Sequence, residues 1–385
     1  FLRLGKFADN HILTVNNLRS CSFSSTRFVS IPKLYVRRLQ CLRVSPGRFE
    51  SDRNTDEPSD GASASISENG LKMEEQRTKE VIMFELCQVG ENTYYINYPV
   101  KVGVYRANEN EVYLIDSGND KNAGRRIMKK VLDENKWKLK GIINTHSNAD
   151  HIGGNAYLQQ QTGCKIFTSG LEAAFTNYPV LEPSFLYGGY PFKEFRDKFL
   201  LAQPSNAVDI GDPDFPNELE IIPLPGHFFD MIGIRTPDDV VFLGDCVSSR
   251  AVLERYQICF IYDIAEYLDT LDKVETMEAA VFVPSHTEAV EDIRGLVSIN
   301  REKVYTVSSR ILSLLRTPMS FETLLKHLFT GFNIAMTYDQ YALIGSTVRS
   351  YLAWLKDTEK ISASFEENVL VWKTKKTDSK CSMKY

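Results

Sequence analysis

Thr145-His146-Ser147-Asn148-Ala149-Asp150-His151-Ile152-Gly153-Gly154 is the stretch that decides how this 385-residue chain is read. The chain has six histidines, at 11, 146, 151, 227, 286 and 327. Two of them fall here, five positions apart, with an aspartate directly before the second. The residues just before, 142–145, read as a short buried strand, and 156–161 as a helix. Imidazole and carboxylate side chains on one strand-to-helix loop converge on a point, and divalent transition metals take both. The glycine pair is expected to let the backbone turn sharply into the helix.

Outward from this loop, three more candidates sit at the ends of β-rich runs. His227 follows Leu224-Pro225-Gly226, Asp245 follows Phe242-Leu243-Gly244, and His286 follows Val283-Pro284-Ser285. Strand ends are where a sheet scaffold presents side chains to a shared site. A lone histidine is usually structural, but four of six in such positions, with two aspartates, predict a metal site. The surrounding pattern alternates short strands with helices. Strands are predicted at 81–89, 94–98, 102–106, 111–115, 165–168, 218–223, 231–235, 240–243 and 280–283. Helices are predicted over 121–136 and over the stripe Ile264, Leu268, Leu271, Val274 and Met277. Interleaved strands and helices imply a layered α/β sandwich.

Composition sets the outer limits. The chain is 43% hydrophobic and 25% charged, which is globular, and no apolar run approaches the roughly 18 residues of a membrane helix. Seven scattered cysteines without a Cys-x-x-Cys pair read as free thiols. The net charge of -5 is uneven. Residues 1–48 hold nine Lys/Arg against Asp9, a net of +8, which leaves -13 for the rest. An acidic body is a poor nucleic-acid or membrane binder. The first 50 residues, rich in Arg and Ser and poor in acids, predict a mitochondrial or plastid transit peptide; without it the protein would be cytoplasmic. Residues 51–79 read as a solvated linker. The chain begins with Phe1 and not Met, which reads as an N-terminal truncation, with Met73 as a candidate start.

Taken together, these motifs resemble the metallo-β-lactamase superfamily over roughly residues 81–290. Asp116, in Leu114-Ile115-Asp116-Ser117-Gly118, matches the first family motif, whose aspartate braces the site. His146, Asp150 and His151 match three of the four residues of the His-x-His-x-Asp-His loop, and His227, Asp245 and His286 match the later motifs. The resemblance implies a four-layer αββα sandwich over 80–295. It also implies a first metal position with His146, His227 and a bridging Asp245, and a second with Asp150, His151, Asp245 and His286. Asn148 stands where the family has its second histidine. An amide oxygen is a weaker zinc ligand than imidazole, so one tightly bound Zn²⁺ and a weak or vacant first position are expected. Zinc lowers the pKa of a bound water to about 7 and supplies hydroxide at neutral pH. The implied activity is hydrolysis of a small ester, thioester or lactone, with Asp150 orienting the water. Cys246 is expected to be a buried neighbour of the site rather than a ligand.

Two segments remain. Residues 176–206 carry paired glycines among aromatics, and read either as a mobile lid with Tyr187 and Tyr190 over the substrate or as a dimer contact or satellite core. Residues 296–375 read as three helices and a hairpin, similar to the winged helix that one branch of the superfamily carries, followed by a basic tail at 376–385. His327 within it is expected to be structural. Some relatives of that branch cut RNA, so two alternatives stand beside the small-molecule hydrolase. One is an endoribonuclease acting on single-stranded RNA; the other is a non-catalytic winged-helix interaction protein with a degenerate metal site. Residues 301–372 have 8 Lys/Arg against 7 Asp/Glu, too sparse for a phosphate-tracking face. Packing against the hydrolase domain or a homodimer is the expected use of this unit. A glutathione-thioester hydrolase remains open, although no family glutathione-binding pattern is recognisable there.

Overall fold

The computed structural model of the protein describes residues 84–375. The transit segment, the linker, His11 and the tail 376–385 lie outside the described residues. The first sheet has seven strands in chain order: β1 (Glu85–Gln88), β2 (Thr93–Asn97), β3 (Val102–Arg106), β4 (Glu111–Ile115), β5 (Lys138–Ile143), β6 (Lys165–Thr168) and β7 (Ala207–Asp209). β1 to β4 form an antiparallel meander, and β4 to β7 run parallel. Parallel neighbours need long crossovers. These are α1 (Lys121–Ile127) continuing into a π turn (Met128–Asp133), then α2 (Ala149–Ile152) with α3 (Asn155–Thr162), then α4 (Gly170–Asn177) with α5 (Leu181–Tyr187). The second sheet holds β8 (Glu220–Pro223), β9 (Ile232–Arg235), β10 (Val240–Gly244) and β11 (Val281–Pro284), in the order β11-β10-β9-β8. Its last two strands are parallel and are joined by α6 (Arg250–Tyr256) and α7 (Ile264–Glu275).

Period-two alternation along the strands makes the layers. In β4, Tyr113 and Ile115 face the second sheet, while Val112 and Leu114 face Ile127, Val131 and Leu158 of the outer helices. In β10, Val240 and Phe242 point into the same inter-sheet core, and Val241 and Leu243 meet Ile264, Leu271 and Val274 on the other side. The result is helix, sheet, sheet, helix. Each fully buried Val, Leu, Ile or Phe in these layers contributes about 1.5–3 kcal/mol.

The chain ends in α8 (Arg294–Leu314), β12 (Met319–Ser320), α9 (Phe321–Gly331), α10 (Tyr338–Asp357) and the hairpin β13 (Ile361–Glu366) and β14 (Val369–Thr374). The three strands pair as β12-β14-β13. Ser320 caps α9, its Oγ accepting from Thr323 N–H at 3.3 Å. This unit shares one core with the second sheet's helices: Ile344, Val348, Tyr351 and Leu352 lie with Ile261, Ile264, Tyr267 and Leu271.

The structure differs from the sequence reading in several places. The helix predicted over 121–136 changes to a π turn at Met128. Helices α4 to α6 and the three-residue β7 were not predicted. The 176–206 segment forms a satellite core in which Leu186, Phe195 and Leu200 meet Ala342 of α10. His327 lies exposed on α9, away from the site, which leaves its expected structural role unchanged.

Candidate metal centre

The site lies where β4, β5, β10 and β11 end, and it is built from Asp116 upward. Asp116 follows β4 with φ +65, a conformation uncommon for a side chain other than glycine. This turns its carboxylate beneath the next strand. Oδ1 accepts from Thr145 N–H at 2.8 Å, and Oδ2 accepts from Thr145 Oγ1 at 2.8 Å. His151 Nδ1 lies 2.8 Å from Oδ2 and donates to it. Thr145 has one hydroxyl proton and gives it to Asp116. Towards His146 Nδ1, 3.0 Å away, Oγ1 must therefore accept. Both rings are thereby fixed with a proton on Nδ1 and with Nε2 facing inward, as metal-binding histidines are usually held.

The second sheet supplies the other residues. Gly244 (φ +55) ends β10 in a conformation that favours glycine, and a Cβ there would press on Thr145 Cβ and Oγ1 at 3.1 Å. Asp245 follows. Ser285 N–H donates to Gly244 O at 3.0 Å, which brings His286 beside Asp245. His286 Nε2 lies 3.2 Å from Asp245 Oδ2 and 3.4 Å from Asp150 Oδ2. His227 Nε2 is 3.6 Å from Asp245 Oδ2 and 3.3 Å from Asn148 Oδ1. Two backbone hydrogen bonds tie the sheets together here, Ile232 N–H to Thr145 O at 2.9 Å and Lys101 N–H to Ser285 O at 3.0 Å.

All six candidate ligands are thus brought together. Two overlapping groups, His146, His151, Asp245 and Asp150, His151, His286, have ligand atoms within 4.8 Å of one another. This places His151 in both groups, whereas the resemblance gave it to the second position alone. His146 Nε2 is buried without a hydrogen-bond partner, and His151 Nε2 and Asp245 Oδ1, also buried, face only each other at 3.1 Å without forming a well-aligned bond. Such atoms cost about 1–3 kcal/mol each unless something satisfies them, and a divalent cation fits this nitrogen and oxygen set.

Electrostatics favour positive charge in the site: burial opposes it on His151, but Asp245, Asp116 and Asp150 outweigh burial and hold that ring well above the imidazole range. Burial drives His146 well below the usual imidazole range, with His151 adding to the effect. Burial opposes charge on His286 too, but Asp245 and Asp150 outweigh it and lift the ring to about 10. Burial works against ionisation of Asp150, yet His151 and His286 bring it down to about 2. For Asp245 burial is again outweighed by His286 and His151, which hold it well below the carboxylate range. Two ionised carboxylates therefore face the site at neutral pH. Cys246 is fully buried in the core shared with the second sheet's helices, and burial pushes its thiol up to about 12.

The glycine pair acts differently from expectation. Gly153 and Gly154 have ordinary right-handed helical torsions, φ -60 and -85. Close approach is what demands them: a Cβ on Gly153 would sit 2.3 Å from the Asn119 carbonyl carbon, and one on Gly154 2.3 Å from Ser117 O.

Two buried carboxylates escaped the sequence reading. Glu172 of α4 accepts from Ser147 N–H at 2.9 Å and Ser147 Oγ at 2.5 Å through one oxygen, and from Asp230 N–H at 2.9 Å through the other. Burial pushes Glu172 up to about 7. Glu182 of α5 accepts from Asn148 Nδ2 at 2.7 Å, and burial raises it well above the carboxylate range despite that bond. The signal available in sequence was a single acid in each of the apolar runs Leu171-Glu172-Ala173-Ala174-Phe175 and Val180-Leu181-Glu182-Pro183. Tyr187 packs on Phe192 and Phe195, and Tyr190 takes a hydrogen bond from Arg196, so both are engaged within their own segment.

Residues 96–286 match the family model described as the metallo-beta-lactamase superfamily. The chain belongs to the metallo-β-lactamase superfamily. It is 22% identical over 192 residues to an atrochrysone carboxyl ACP thioesterase of Aspergillus fumigatus, covering 49% of this chain and 50% of that protein. It is 30% identical over 112 residues to a hydroxyacylglutathione hydrolase of Hyphomonas neptunium, covering 29% and 35%. The chain spans half or less of the length of these curated relatives. Among solved structures, a beta-lactamase domain protein from Burkholderia ambifaria shares the metallo-β-lactamase fold. Its TM-score is 0.57 at 16% identity, over 76% of this chain and 94% of that one.

Proposed function

We propose that the protein is a metal-dependent hydrolase of a small thioester, ester or lactone. The convergence of the buried atoms His146 Nε2, His151 Nε2 and Asp245 Oδ1 beside Asp150 and His286 carries this reading. A zinc ion, when bound there, supplies a water of pKa about 7 and polarises the substrate oxygen that gains charge. Asp116 fixes the rings of His151 and, through Thr145, His146. Asp150 has a side chain 34% exposed, is ionised, and is placed to accept a hydrogen bond from the attacking water. The names of the two curated relatives favour the thioester within that substrate set. Residues 80–295 would form the hydrolase domain, with the tight zinc at Asp150, His151, Asp245 and His286 and a weaker ion at His146, His227 and the shared Asp245.

Residues 296–375 would be a winged-helix-like unit that packs on the hydrolase domain. The burial of Val348, Tyr351 and Leu352 in the common core supports packing over nucleic-acid reading, for which a helix must be free to enter a groove.

The test is elemental mass spectrometry on the full chain purified without chelator or affinity metal, followed by hydrolysis of a panel of model thioesters before and after chelation. About one zinc per chain is expected, lost in His151→Ala and His286→Ala but kept in His146→Ala, with thioester cleavage that follows the metal. A folded, monodisperse chain holding no metal overturns the hydrolase reading.

A further inference from the structure

Asn148 stands where the resembling family has an imidazole, and the two ends of its carboxamide differ chemically. Nδ2 donates to Glu182 Oε1 at 2.7 Å, while Oδ1 lies 3.3 Å from His227 Nε2. Glu182 is only 5% exposed and sits in the first turn of α5. The Ala149 backbone N–H also faces this carboxyl and favours its charged form. That N–H is fixed by the start of α2 and cannot turn away. In this geometry the carboxyl oxygen Oε1 is the acceptor and the amide NH₂ the donor. The amide therefore gives its NH₂ to Glu182 and leaves its oxygen on the side of His227. The next residue back is held in the same manner, since Glu172 takes both the N–H and the hydroxyl of Ser147.

We infer that Glu182 is a positioning residue that fixes the Asn148 carboxamide with its oxygen towards the first metal position. Asn148 Oδ1 then serves there as an oxygen donor beside His146, His227 and Asp245. The inference rests on the metal-dependent reading above. An amide oxygen in place of imidazole shifts the preference of that position from zinc towards harder ions such as Mn²⁺.

Binding of Zn²⁺ and of Mn²⁺ to the full chain, measured by chelator competition with thermal melting as a check of folding, tests it. In Glu182→Gln the new carbonyl is claimed by the Ala149 N–H, so the new NH₂ faces Asn148. The asparagine must then turn its oxygen outward and present NH₂ to the cation. The weaker ion should lose about 10–100-fold in affinity, as for other residues that orient a ligand, while the tighter ion is retained. Adding Asn148→Asp to Glu182→Gln should restore most of the loss, because the introduced aspartate accepts from the introduced glutamine with one oxygen and presents the other to the ion. Asn148→Ala should weaken the same ion, and adding Glu182→Gln to it should change nothing further. Unchanged affinity in Glu182→Gln, or a double variant no better than Glu182→Gln alone, overturns the inference and leaves the metal-dependent reading standing. If Glu182→Gln does not fold, unchanged affinity in Asn148→Ala overturns it. A wild-type chain that binds neither ion overturns both.

Discussion

Asp116 accepts from three donors: Thr145 N–H, Thr145 Oγ1 and His151 Nδ1. Asp116→Asn keeps the size and tolerates φ +65, but it turns an NH₂ towards two donors. His151 must then move its proton to Nε2, the atom that faces the site. Metal affinity should fall about 10–100-fold with little change in fold, as chelator competition beside circular dichroism would show. Unchanged affinity would remove Asp116 from the account. Glu172 gives a second prediction, on pH. Burial holds it at about 7 against an ordinary 4.5, so the folded chain keeps a proton that the unfolded chain releases between those values. A raised carboxylate makes native stability fall as pH rises through that window. Urea unfolding at about pH 5 and about pH 8 should show wild type losing on the order of 3 kcal/mol relative to Glu172→Gln. Parallel pH profiles for the two proteins would contradict this.

At the scale of elements, the seam between the β4–α1 loop and the β5–α2 loop is closed by Gly153 and Gly154. Gly154→Ala forces a methyl to 2.3 Å from Ser117 O, and overpacking of this kind costs about 1–3 kcal/mol or more. Gly295→Ala is the contrast: it lies in the first turn of α8 with open space around it and should gain about 0.4–1 kcal/mol. Thermal melts of the two variants should move in opposite directions. The same contrast explains what the sequence made legible. Strands β3, β4 and β6 match their predicted bounds, because a strand between two layers must be apolar on both faces and is flanked by turn residues. The histidines and aspartates of the site were legible because metal-binding residue types at strand ends are rare. Glu172 and Glu182 were not, since a carboxylate that braces a loop from 25 or 34 residues away follows no local spacing. β7 is three residues long, too short for alternation to register. The glycine pair was placed correctly, but its reason is a contact across the chain, which torsional arguments do not reveal.

At the scale of the whole molecule, the C-terminal helices complete the second outer layer. Asn300 of α8 clasps the loop after Asp245, accepting from Ser248 N–H at 3.0 Å and donating to Ser248 O at 2.8 Å. Thr347 Oγ1 of α10 accepts from Ile261 N–H at 3.1 Å, and Ser350 Oγ donates to Tyr262 O at 2.6 Å. A core so shared should unfold as one unit. Leu271→Ala in the hydrolase part and Leu352→Ala in α10 should each cost about 2–5 kcal/mol and lower a single calorimetric transition. Two separate transitions, each moved by one variant, would contradict this.

The backbone hydrogen bond from Ile232 to Thr145 spans from one sheet to the other immediately before His146. That single amide is therefore a built-in gauge. Its deuterium exchange reports whether the two halves of the centre remain in register, independently of any substrate or any bound ion.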